Sequence, residues 1–155
     1  AGRCRMLLTE LEGWFRLTKR TEEPTIPDLL NLDIDHILPR SWYEHWTLPD
    51  GSKATLVENQ AAKQQELVGD TLSDHYQVIR RRDKAISTLG NLTLLNLSVN
   101  REAQNRTFSV KKGLLIANTV LSLNGDLMAR ETWDEEAIAV RSKRMAEAAI
   151  QLYPR

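Results

Sequence analysis

The 155-residue chain has one cysteine, Cys4. A lone thiol closes no internal disulfide and builds no Cys-rich zinc knuckle. A reducing, cytoplasmic setting is the expectation. Long apolar runs are also missing. The stretch from Gly113 to Ala117 is typical of what is present, whereas a membrane-spanning helix needs about 20 apolar residues. No signal peptide is legible, and no membrane partner is expected. An excess of either charge is absent, with 21 Lys+Arg against 21 Asp+Glu, which argues against a dedicated nucleic-acid coat. There is no internal repeat and no low-complexity stretch. The chain opens Ala1-Gly2 without a methionine, as expected of a fragment or a processed product.

What is present is the composition of a globular domain, 41% hydrophobic and 27% charged, with enough chain to bury a core without staples. The charge is unevenly spread. Residues 21–35 hold five acids and no base, whereas residues 80–112 hold eight bases and two acids, a window of +6. Acids that hold a cation beside bases that hold phosphates would give this pattern, and so would a solvated face.

Hydrophobic spacing predicts an amphipathic helix over 5–20, with Leu7, Leu11 and Trp14 or Phe15 on one side. Two prolines break the chain in 21–28. Residues 29–38 alternate apolar and polar around Ile34 and Ile37, which predicts a strand ended by Pro39. A helical turn over 40–47 and helices over 54–68 and 71–87 follow. Leu89-Gly90-Asn91 reads as a turn that feeds a short strand, with helices expected over 97–105 and 109–121. Thr132 and Glu135 have the spacing of a capping box ahead of a last helix that stops at Pro154. The expected fold is α+β and mainly helical, around a very small sheet. Residues 1–28 would form a linker helix and connector, and 29–155 the domain proper.

Three pieces carry the candidate chemistry: Asp35-His36 at a strand end, Asn91 at the start of a second strand, and Asn100 on the element after it. Phosphodiester hydrolysis needs an activated water and a cation near the phosphate. His36, with an ordinary pKa of roughly 6.5, suits proton removal at neutral pH. Asp35 and Asn100 offer hard oxygen ligands, which favour Mg2+, or Mn2+ in its place, over zinc. Asn91 could orient His36 or pin the strands through its amide. The plain alternatives are that Asn91 is a turn residue and Asn100 a helix cap. His45 and His75 read as structural and exposed residues. The Arg80-Arg81-Arg82 run fits a solvated face as well as a DNA contact.

The segment Asp33-Ile34-Asp35-His36-Ile37-Leu38-Pro39, followed by Gly90-Asn91-Leu92-Thr93-Leu94-Leu95 and Asn100, resembles the HNH (His-Me finger, ββα-metal) nucleases. The likeness is stronger to the C-terminal nuclease domain of GmrSD-type modification-dependent restriction enzymes such as SspE. It extends through Trp42, Asn105, Phe108, Lys111, Trp133, Ile138, Arg141 and Tyr153-Pro154. This resemblance implies a hairpin-helix core embedded in surrounding helices. It implies a Mg2+-dependent endonuclease that nicks DNA in anti-phage defence. His36 would be the general base, Asn91 an orienting residue of the catalytic set, and Asp35 and Asn100 the metal ligands. Asn105 would be a further ligand or a hydrogen-bonding support, with Gln104 as the other candidate. Lys111 would contact phosphate or stabilise transition-state charge. Arg101, Arg106 and Lys112 are phosphate-contact candidates by charge and position. The expected partners are DNA and an upstream nucleotide-hydrolysing sensor domain or subunit, and a homo-oligomer is compatible with all of this. The rival reading is a degenerate HNH-fold module that binds DNA or protein without cutting.

Overall fold

A computed structural model describes residues 2–19, 29–96, 104–118 and 121–154. The helices are α1 (Gly2–Lys19), α2 (Leu56–Val68), α3 (Asp74–Ile86), α4 (Phe108–Asn118), α5 (Gly125–Met128) and α6 (Glu135–Leu152). The strands are β1 (Asp33–His36) and β2 (Leu92–Leu95). Short 3-10 turns cover Leu29–Asn31, Trp42–Glu44, Leu89–Asn91 and Ser122–Asn124. The domain is therefore α+β and mainly helical, as its sequence predicts. No helix among the described residues is long and apolar enough to cross a membrane.

The two strands pair antiparallel, with Asp33 opposite Leu95, Asp35 opposite Thr93 and His36 opposite Leu92. They are not joined by a tight turn, because α2 and α3 are inserted between them. The strand is shorter than the expected 29–38. Leu29–Asn31 is a 3-10 turn, and the ladder ends at His36 because β2 begins at its partner Leu92. Ile37 and Leu38 instead donate their amides to the carbonyl and the side-chain oxygen of Asn91. The helix expected over 97–105 falls largely on 97–103, outside the described residues.

Two apolar clusters hold the domain. One gathers Ile37, Leu38, Trp42, Ile79, Phe108 and Trp133. The other joins Leu8, Leu11 and Phe15 of α1 to Leu92 and Leu94 of β2 and Met145 of α6. Full burial of each such side chain is worth about 1.5–3 kcal/mol. The buried stripe of α1 is Leu8, Leu11, Glu12 and Phe15, which keeps the expected Leu11, takes Phe15 of the expected Trp14 or Phe15, and buries Leu8 in place of Leu7. Glu12 sets that rotation: its carboxylate accepts from the Ser122 amide at 3.0 Å and the Leu123 amide at 2.7 Å.

The capping box of α6 is not the one its spacing suggests. Asp134 is the N-cap, and its carboxylate accepts from the Ala137 amide at 2.8 Å. Glu135 is engaged elsewhere, by the Arg82 guanidinium. Trp133, just before the cap, and Ile138, four residues into the helix, share one cluster, which is a hydrophobic staple. Burial of Trp133 thus moves the helix start two residues past Thr132.

Candidate functional site

Gly90 and Asn91 place the end of β1. A Cβ on Gly90 would sit 2.3 Å from the Ile138 carbonyl oxygen and 2.5 Å from the Ser142 amide nitrogen. Only glycine lets this turn lie against α6. The Gly90 amide donates to Ser142 Oγ at 3.0 Å. Asn91 is fully buried, and every polar group of its side chain is engaged. Its Oδ1 accepts from the Leu38 amide at 2.8 Å and the Trp133 indole at 3.2 Å. Its Nδ2 donates to the Leu38 and Ile86 carbonyls at 2.8 and 3.1 Å. Of the two roles its sequence position allowed, the carboxamide takes the pinning one and leaves the His36 ring alone.

Asp35 occupies the buried position of β1, and His36 beside it is half-buried, following the alternation of a strand. Lys111 of α4 donates to Asp35 Oδ2 at 3.0 Å and to the His36 carbonyl at 2.6 Å. Lys111 is 1% exposed, so its ammonium anchors the strand and is not presented to a DNA phosphate, contrary to the expectation for it. Burial pushes the Asp35 carboxyl up and the Lys111 ammonium down, and the attraction between them opposes both shifts. Burial, with the charges of Arg40 and Lys111 beside it, pushes His36 down to about 4. The imidazole is therefore neutral at neutral pH.

The remaining predicted residues divide. Arg106 is exposed, and its side chain has no partner among the described residues; its carbonyl accepts from the Trp46 indole at 2.9 Å. Asn105 donates to Glu44 at 2.9 Å, which makes it a support for that turn. The Lys112 ammonium donates to the Arg130 carbonyl at 2.7 Å and pairs with Glu131 at 3.5 Å. It is committed within the fold and not held out toward a phosphate. Asn100 and Arg101 lie outside the described residues. Of the triple arginine, Arg80 pairs with Glu66 and Asp83, and Arg82 is buried on Glu135 and over Trp42. Only Arg81 is exposed. Arg40 escaped the sequence reading. Its signal was its place four residues after His36, directly behind Pro39.

A cavity of about 820 Å³ between α3 and α6 contains neither Asp35 nor His36 among its lining residues. A polymer laid across a strand end needs no deep cavity, so side-chain chemistry is the better guide to the site. Among the described residues Lys111 is the side-chain hydrogen-bond partner of Asp35, whose carboxylate also accepts from the His36 amide, and the His36 ring has no hydrogen-bond partner. No group of three His, Cys, Asp or Glu residues that could hold a metal occurs among the described residues. A single buried carboxylate as hard oxygen donor suits a cation that keeps most of its waters, such as Mg2+, and does not suit a closed zinc site.

A buried carboxylate, a neutral imidazole on the next residue and a strand pair braced by helices define an α+β domain with the groups for hydrolytic chemistry. Residues 2–148 match the family described as GmrSD restriction endonucleases, C-terminal domain, and the chain belongs to that family. It is a restriction-endonuclease domain, for which DNA is the substrate class. No curated protein and no solved structure matches the chain.

Proposed function

We propose that this domain is a Mg2+-dependent endonuclease of the HNH type that nicks DNA. The observation that carries the reading is the His36 imidazole, held neutral at the end of β1 one residue after the buried Asp35 carboxylate. His36 takes a proton from a water molecule, and the resulting hydroxide attacks phosphorus. The bond to the 3′ oxygen breaks, solvent protonates that oxygen, and the products carry a 5′-phosphate and a 3′-hydroxyl. Asp35 and Asn100 would hold the cation, which supplies positive charge to the phosphate and the departing oxygen. Lys111 and Asn91 act as positioning residues: one fixes the Asp35 carboxylate, the other the backbone that follows His36. Arg40, Arg101 and Arg106 supply phosphate contacts. The biological reading is cytoplasmic, modification-dependent restriction of phage DNA, gated by an upstream nucleotide-hydrolysing sensor.

The test is plasmid nicking by the full chain together with its upstream partner, in Mg2+ and in EDTA. Wild type should convert supercoiled to open-circular DNA in Mg2+ alone. His36→Ala should lose about 10²- to 10⁴-fold of that rate with an unchanged melting temperature. Equal cutting by both proteins removes His36 from the mechanism. Metal-independent DNA binding with no cutting by either points to the degenerate, non-cleaving module.

A further inference from the structure

Asp35 already has a cation of its own. Lys111 is buried, and its Nζ donates to Asp35 Oδ2 at 3.0 Å and to the His36 carbonyl at 2.6 Å. The Asp35 carboxylate is buried too and also accepts from the His36 amide. A divalent ion that approaches Asp35 therefore meets an anion whose charge is already matched within the chain. It also meets a fixed positive charge in contact with the oxygen it would share.

Burial makes this competition strong, because solvent and salt screen a buried pair much less than a surface one. A lysine at the surface could swing its ammonium aside. Lys111 is held in place instead. It belongs to α4, whose Phe108 and Leu115 pack in one apolar cluster with Ile37 and Leu38. The His36 carbonyl grips Nζ from a second side, so the ammonium stays beside Asp35 even when its bond to Oδ2 loosens. Two cations then share one carboxylate, and each weakens the hold of the other. The exposed Arg40 adds to the positive field around His36. A DNA phosphate reverses this balance. It brings negative charge and hard oxygen ligands, and Mg2+ is commonly held by one or two carboxylates together with substrate phosphate.

We propose that Lys111 is an internal competitor for the metal: in the free domain it holds Asp35 in place of a divalent ion, and the ion binds firmly only when a DNA phosphate shares it. This rests on the endonuclease reading above and adds to it the order in which the site fills. Metal without DNA leaves the site closed by its own lysine, and DNA opens it.

Titration of the full chain with Mn2+ at neutral pH, followed by the electron paramagnetic resonance signal of the free ion, tests the competition. Wild type should bind weakly, and Lys111→Met at least tenfold more tightly. Adding Asp35→Asn to Lys111→Met should abolish the gain, which places the ion on that carboxylate. A ligand stabilises the fold it binds, so Mn2+ should raise the melting temperature of Lys111→Met and leave that of wild type almost unchanged. Lys111→Gln keeps a donor to Asp35 and removes only the charge, so it gives the same reading where Lys111→Met fails to fold. The role of DNA is read in the His36→Ala background, where cutting is suppressed. Mn2+ should tighten the binding of a labelled duplex at least tenfold, and by linkage the duplex tightens Mn2+ by the same factor. Equal Mn2+ affinity in wild type and the Lys111 variants overturns the proposal, and so does duplex binding indifferent to Mn2+. Plasmid nicking by wild type in Mg2+ reports separately on the endonuclease reading. Nicking without any gain in the Lys111 variants removes the competition alone, whereas a gain without nicking keeps the competition and removes that reading.

Discussion

Two charge clusters, one around the buried Lys111 and one around the buried Arg141, are balanced differently. On one side Lys111 meets Asp35, one charge against one, and a backbone carbonyl takes a further donor. On the other, Arg141, Arg144 and Arg130 face Asp126 alone, with buried nitrogens left over. A charge removed from water needs a partner of opposite sign, or its stability cost persists. The first cluster meets that need within the chain and works as a fastener. The second meets it only in part, through Asp126 on Arg144, and its surplus charge costs stability.

The contrast can be broken from either side. The largest effect is expected at Lys111→Met, which strands a buried carboxylate and should cost about 3–5 kcal/mol by chemical denaturation. Adding Asp35→Asn should recover much of that loss, because no unpaired charge remains; a simple sum of the two single costs would refute the coupling. Arg141→Met is expected to cost less, about 1–3 kcal/mol. It frees the carbonyls of Gly90, Leu92 and Leu123 but also removes a charge that lacks a direct counter-ion. A cost equal to that of Lys111→Met would erase the distinction between the clusters. Gly90→Ala presses a methyl group onto α6 between them and should cost roughly 1–3 kcal/mol, read as a lowered melting temperature. The smallest effect serves as a control remote from both. Asp134→Ala should cost about 1 kcal/mol through the lost cap, while Thr132→Ala should leave the melting temperature almost unchanged.

Much of this arrangement is legible along the chain because its signals are local. Strand alternation, a glycine at a close approach and an asparagine behind it identify β1, β2 and the turn between α3 and β2. Helices α2 and α3 begin at Thr55 and Ser73 caps and fall close to where hydrophobic spacing puts them. The misreadings share a cause. Lys111 looks like a surface base until a carboxylate 76 residues away is placed against it. Lys112 reaches the carbonyl of Arg130, 18 residues on. Glu135 has the spacing of a capping residue, but Arg82, 53 residues away, claims it. Charge and spacing are properties of the sequence, whereas the partner of a long side chain is a property of the fold. Arg40 was overlooked for the same reason, since only proximity in space reveals its effect on His36.

The grip of α6 on the turn before β2 also orders events during synthesis. Arg141, which holds the Gly90 carbonyl, is translated 51 residues after it, and Ser142 follows the Gly90 amide by 52. Until that helix emerges from the ribosome, the buried polar groups of the turn have no mate and Asn91 has no fixed frame to clamp. Domains generally fold as units, so the nascent chain carries the histidine and aspartate long before it can hold them in register.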